Sequence, residues 1–126
     1  MVGFVIVSHC ETLAKGVVEL SQMMAASVPI RAAGGLEDGS LGTSFEKIYA
    51  AVEEVYSDDG VILLMDMGSA VMTAEMVIEA MDGCKVVMAD CPLVEGAVTG
   101  TVCAESEMSI DEILAELAEV RNQNKL

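Results

Sequence analysis

Residues 3–7, Gly-Phe-Val-Ile-Val, form an unbroken apolar run with three β-branched side chains, and polar Ser8 and His9 follow directly. Such a run without alternation reads as a strand buried on both faces, as in the centre of a parallel sheet. From Thr12 the apolar residues recur as Leu13, Val17, Leu20 and Met24, at steps of four, three and four, which puts one stripe along a helix. The change of period predicts a strand-to-helix switch at His9.

The same alternation then repeats. Residues 28–33 read as a second strand, with Pro29 near its start, where a missing amide is tolerated. A glycine-rich stretch, GGLEDGSLGTS, spans 34–44, and Thr43 with Glu46 forms a capping-box pattern opening a helix striped by Phe45, Ile48, Tyr49, Val52 and Val55. Residues 60–65 (GVILLM) predict a third buried strand, followed by Asp66-Met67-Gly68-Ser69 and a helix over about 70–81. Residues 84–89 predict a fourth strand, and Pro92 suits the first turn of a helix over 93–105, which Gly96 and Gly100 weaken. Ser109 and Glu112 form another capping box, before a last helix striped by Ile110, Ile113, Leu114, Leu117 and Val120. The final RNQNKL is expected to fray.

Strands alternating with helices imply parallel pairing through right-handed crossovers. The expected fold is α/β, a three-layer sandwich around a mainly parallel four-stranded sheet in the order 2-1-3-4, with additional C-terminal helices. No linker or repeat interrupts the 126 residues, so residues 1–126 are expected to form a single domain.

Composition narrows the partners. Six basic residues against 21 acidic ones give a formal charge of −15, which repels polyanions and excludes nucleic acid and anionic membrane as partners. The same field favours encounter with a protein carrying a basic patch, although it also serves plain solubility. With 3% aromatic residues and no tryptophan, the core must be built from aliphatic side chains and the ten methionines. Cys10, Cys84, Cys91 and Cys103 form no C-x-x-C pair, and no charged segment precedes an apolar leader, so a reducing cytoplasm is the expected location. One histidine with scattered thiols does not suit a metal site, and no apolar run approaches the ~20 residues that span a bilayer.

In open α/β sheets the site lies beyond the carboxyl ends of the strands, where neighbouring connections leave to opposite faces. The order 2-1-3-4 places Asp66, after strand three, beside His9, after strand one, with the glycine loop on the other flank. A neutral imidazole attacks phosphorus through one nitrogen when the other donates to a carboxylate. Asp66 is the candidate orienter of His9. Backbone amides of glycine-rich loops and helix N-termini can hold phosphoryl oxygens, which makes Gly35, Gly39, Thr43, Gly68 and Ser69 the candidate phosphate-binding positions. Each element also has a plainer reading: a solvated histidine, an aspartate cap, a simple loop. The loop has neither a G-K-[ST] ending nor a G-x-G-x-x-G after strand one, which disfavours nucleotide binding by this chain. Cys10 is a rival nucleophile, though adjacent residues at a strand end point apart. Asp90 with Glu95 is a candidate carboxylate pair or rim, and Arg31 and Lys47 are either phosphate contacts or solvated charges.

The segments VIVSHC (5–10), AAGGLEDGSLGTSFEKI (32–48), LLMDMGSAVMTAEM (63–76) and DCPLVEGA (90–97) resemble the phosphotransfer subunits of phosphoenolpyruvate-dependent dihydroxyacetone kinases. These belong with the A domains of mannose-type sugar phosphotransferase systems. The resemblance implies that His9 accepts phosphate from the phosphocarrier HPr, itself charged by enzyme I from phosphoenolpyruvate. It implies transfer to ADP held with magnesium on a separate nucleotide-binding subunit, and from ATP to dihydroxyacetone on a third. No cofactor is expected on this chain itself. It further implies a homodimer, phosphorylation on the outer ring nitrogen of His9, and Asp66 on the inner one. Cys10 replaces the serine common after the active histidine, and the helical tail replaces the C-terminal strand of mannose-type A domains. An A domain of a mannose-type sugar transporter and an acidic non-catalytic binding module remain the alternatives.

Overall fold

The computed structural model describes residues 1–126. In chain order the elements are β1 (Gly3–Ser8), α1 (Glu11–Met24), β2 (Ile30–Gly34), α2 (Phe45–Val55), β3 (Val61–Met65), α3 (Gly68–Ala80), β4 (Val86–Met88), α4 (Leu93–Glu105) and α5 (Ile110–Val120). The four strands are parallel in the order β2-β1-β3-β4. The fold expected from the pattern is the fold observed.

Strand β1 is buried along its whole length, and its side chains alternate between two cores. Phe4 and Ile6, with Ile62 and Leu64 of β3, pack under α1, α4 and α5 against Ala14, Val17, Ala97 and Leu117. Val5 and Val7, with Leu63, pack on the other face against Ile48 and Val52 of α2 and Ala74 and Val77 of α3. Each fully buried aliphatic or aromatic side chain contributes roughly 1.5–3 kcal/mol. Because α1, which follows β1, and α3, which follows β3, leave to opposite faces, the cleft between β1 and β3 opens at their carboxyl ends. Register sets what meets there: Val7 pairs with Met65 and Ser8 with Gly34. One step beyond the ladder, Ser8 stands opposite Asp66, whose amide donates to Val7 O at 3.1 Å.

Several local expectations need correction. Of the expected α1 stripe only Val17 is buried; Leu13, Leu20 and Met24 are 41%, 39% and 55% exposed, and Ala14 and Ser21 join Val17 on the buried face. The cause is close approach: a Cβ on Gly34 would stand 2.8 Å from Ala14 Cβ and 2.6 Å from Cys10 O, so only small residues fit beneath α1. The α2 cap is Ser44, whose Oγ accepts from Lys47 N at 3.2 Å, because the Thr43 hydroxyl is bonded to Thr73 Oγ1 on α3 at 2.8 Å. Strand β4 is only three residues long, since Cys84 N is drawn into the preceding turn by Met81 O. Pro92 occupies the N-cap of α4, one position before its first turn. The capping box of Ser109 and Glu112 is complete in both directions.

Gly34 therefore determines how closely α1 approaches the site. Gly34→Ala is expected to destabilise the fold by about 1–3 kcal/mol through overpacking against backbone, read by urea unfolding. Gly16→Ala is the control: nothing stands within 4 Å of its added methyl, so stability should hold or rise by up to about 1 kcal/mol. Equal effects at the two positions would refute the close-packing account.

Candidate active site

His9 and Asp66 are the first residues beyond the ends of β1 and β3, and the ladder brings them into contact. Asp66 Oδ1 lies 3.0 Å from His9 Nδ1 and accepts from Met67 N at 2.7 Å. Asp66 Oδ2 accepts from the His9 amide and from Ser8 Oγ, each at 2.9 Å, and is 3.3 Å from Nδ1. Burial raises the Asp66 pKa, but bonds from the His9 amide, Ser8 and the His9 ring outweigh it and hold the carboxyl below its ordinary value. An ionised carboxylate only accepts, so this network assigns the proton to Nδ1 and the lone pair to Nε2.

Nε2 faces outward. Its hydrogen-bond partner is Ser69 Oγ at 2.7 Å, which donates to the ring lone pair in this assignment. The His9 side chain is 24% exposed and that of Asp66 11%, so the ring edge reaches solvent while the carboxylate is screened. Ser69 lies in the first turn of α3, where the amides of Gly68 and Ser69 have no hydrogen-bond partner and no side chain caps the helix. A helix N-terminus with free donors attracts an anion. A Cβ on Gly68 would meet nothing within 4 Å, so the space beside these amides is open.

The glycine loop has a different task from the one expected. Gly35 N donates to Ser8 O at 3.1 Å and Gly39 N to Leu36 O at 3.0 Å, so neither amide is free for a phosphate. These two residues matter by their positive φ, +72° and +86°, which lets the loop turn back. Gly42 N donates to His9 O at 2.8 Å, so the loop clamps the backbone of Ser8 and His9 on the flank away from Asp66. Thr43 fastens the end of the loop to α3 through Thr73.

The remaining candidates are engaged elsewhere. Arg31 pairs with Glu54 at 2.9 Å, and Lys47 reaches Glu11 at 2.8 Å and Gly34 O at 2.9 Å. Asp90 pairs with Arg121 at 3.0 Å and Glu95 with Lys125 at 2.9 Å, so each of the two carboxylates has its own cationic partner. Cys10 occupies the α1 N-cap position and makes no side-chain cap bond, while burial and the nearby Asp90 push the Cys91 thiol up to about 11. All four cysteines are free. A cavity of about 550 Å³ opens at the ends of β3 and β4, with Asp66 and Asp90 in a methionine-rich lining, beside the histidine rather than over it. Sequence reasoning missed Ser8 and Gly42. The available signal for Ser8 was a polar residue closing an otherwise apolar buried strand.

A histidine held by a carboxylate thus stands at the rim of a parallel sheet, its outer nitrogen bonded to Ser69 in the first turn of α3. Residues 3–117 match the EIIA-man family, described as the PTS system fructose IIA component, and the chain belongs to this family. It is 40% identical over 121 residues to the PEP-dependent dihydroxyacetone kinase phosphoryl donor subunit DhaM of Escherichia coli (strain K12), covering 90% of this chain and 26% of that protein. The chain thus spans about a quarter of that longer relative. It is 36% identical over 115 residues to the PTS-dependent dihydroxyacetone kinase phosphotransferase subunit DhaM of Lactococcus lactis subsp. lactis (strain IL1403), covering 91% of this chain and 92% of that one. A crystal structure of a protein of unknown function superimposes with a TM-score of 0.83 at 32% identity, over 99% of this chain and 96% of the other. The phosphotransferase system component EIIA from Streptococcus agalactiae shares the fold, with a TM-score of 0.71 at 12% identity, over 97% of this chain and 93% of the other.

The depressed Asp66 pKa has a stability consequence. Because the folded value lies below the unfolded one, the contribution is complete above the unfolded pKa and is lost as pH falls through the folded one. Urea unfolding across a pH series is expected to show wild type more stable than Asp66→Asn at neutral pH, with the gap closing below roughly pH 4. A gap that does not change with pH would contradict the ionised, hydrogen-bonded carboxylate.

Proposed function

We propose that this chain is the phosphoryl donor subunit of a phosphoenolpyruvate-dependent dihydroxyacetone kinase, with His9 Nε2 as the atom that carries the phosphoryl group. The observation that carries this reading is the pairing of Nδ1 with Asp66 at 3.0 Å, which leaves Nε2 unprotonated and outward. The relatives named as DhaM subunits support the choice of kinase over a sugar transporter.

In the proposed cycle, the Nε2 lone pair attacks phosphorus of a phosphohistidine on HPr. The new N–P bond forms as the donor's N–P bond breaks, and the donor nitrogen leaves with the electron pair. The Nδ1 proton stays in place, and the Asp66 carboxylate offsets the positive charge that develops on the ring. No base is needed, because the attacking nitrogen carries no proton. Ser69 must give up Nε2 for attack, after which its hydroxyl and the free amides of Gly68 and Ser69 can donate to the equatorial oxygens. In the second transfer a β-phosphate oxygen of ADP, held with magnesium on a nucleotide-binding subunit, bonds to phosphorus as the N–P bond breaks, and the electron pair returns to Nε2. No helix here is long and apolar enough to cross a membrane, and the free thiols suit a reducing cytoplasm.

Incubation with phosphoenolpyruvate, enzyme I and HPr is expected to add one acid-labile, base-stable phosphate, absent in His9→Ala, as read by intact mass. No mass increase in wild type with active donor proteins would end the carrier reading. Ser69→Ala is expected to remain phosphorylatable but to lose roughly tenfold in transfer rate, as one donor to the transferring group is removed. Rates equal to wild type in rapid-quench assays would exclude Ser69 from the transfer.

A further inference from the structure

We infer that Ser8 is a positioning residue for phosphoryl transfer, fixing through Asp66 which nitrogen of His9 is free to react. The inference rests on the carrier reading above for its consequence, but the geometry that supports it is independent of any partner.

Ser8 is the last residue of β1 and its side chain is fully buried, in a strand otherwise made of glycine and apolar residues. Burying a hydroxyl is unfavourable unless it is bonded, and here it is bonded twice. Cys10 N donates to Ser8 Oγ at 3.0 Å, and Ser8 Oγ lies 2.9 Å from Asp66 Oδ2. The direction of the chain follows from these partners. An amide only donates and a carboxylate only accepts, so the Ser8 hydrogen must point at Oδ2. The Cys10 amide, at the N-cap of α1, thereby polarises the hydroxyl toward the carboxylate.

The consequence lies in how the carboxylate is oriented. Oδ2 is held by the Ser8 hydroxyl and the His9 amide, and Oδ1 is held by the Met67 amide, which together prevent rotation about the Cβ–Cγ bond. With both oxygens fixed, Oδ1 stays 3.0 Å from Nδ1 and selects the tautomer that leaves the Nε2 lone pair available. Without the Ser8 donor the Cys10 amide loses its acceptor and Oδ2 keeps only the His9 amide as a fixed partner, so the carboxylate is held less firmly against Nδ1 and the competing tautomer with hydrogen on Nε2 gains population. That tautomer cannot attack phosphorus through the outward nitrogen.

Two-bond nitrogen–proton spectra of the ring in the unphosphorylated chain report the tautomer, and rapid-quench transfer from charged HPr reports the rate. Wild type is expected to show the Nδ1–H tautomer. Ser8→Ala is expected to show a mixture, with the saturated transfer rate reduced about tenfold and the half-saturating donor concentration unchanged. Ser8→Cys, close in volume but a poor donor, is expected to behave similarly and covers the case in which the alanine variant does not fold. A folded variant with the wild-type tautomer overturns the inference, and so does one with the wild-type rate. Failure of the carrier reading is separable: phosphoramidate and charged HPr would both leave wild-type His9 unmodified, while the tautomer comparison would still judge Ser8.

Discussion

The carboxylate of Asp66 sits where two segments distant in sequence, residues 8–9 and 66–67, must agree. Its two oxygens accept from Ser8, from the amide and ring of His9, and from Met67, so it bonds across the gap between β1 and β3 and into the turn that opens α3. Those donors keep it charged despite burial, because their combined effect exceeds the cost of removing it from water. A protonated Asp66 would lose its preference for Nδ1 as a donor, and the division of labour between the two ring nitrogens would go with it. The chemistry of this molecule is therefore decided by a hydrogen-bond network rather than by any cationic side chain near His9.

The fold makes that network possible by geometry alone. Parallel register puts Ser8 opposite Asp66, and the switch in helix side after β1 keeps the end of the cleft uncovered. The glycine loop contributes stiffness: Gly35 and Gly42 donate to the carbonyls of Ser8 and His9, so His9 is held by its backbone as well as by its ring. What remains free at the site are the amides of Gly68 and Ser69 in the first turn of α3, beside the Ser69 hydroxyl that meets the outward nitrogen. Donors fixed in a helix turn move little when charge arrives, which is the form of stabilisation that the proposed transfer requires.

The buried runs around residues 3–7 and 60–65, and the helical stripes between them, were legible because period and apolarity are properties of short stretches. The meeting of His9 with Asp66 was legible too, once the strand order placed both at one rim. Other features depended on distances that no pattern encodes. Alpha-1 turned its small residues inward because Gly34 brings the backbone too close for leucine, so the larger Leu13 and Leu20 stayed at the surface. Thr43 matched a cap pattern, but its hydroxyl had a better partner across the fold in Thr73, and Ser44 took the cap. Gly35 and Gly39 read as phosphate donors from the loop composition, whereas their amides close the loop on itself and on Ser8. Ser8 was visible only as an oddity at the end of an apolar strand.

The central claim is that Asp66 holds the inner ring nitrogen and so directs phosphate to the outer one. Nitrogen-15 and phosphorus-31 spectra of the freshly phosphorylated, ring-labelled protein assign the modified atom directly. The account predicts a phosphorus coupling to Nε2, with Nδ1 still carrying its proton. Phosphate on Nδ1 would mean that the carboxylate does not hold that nitrogen during transfer, and the account would be wrong at its foundation.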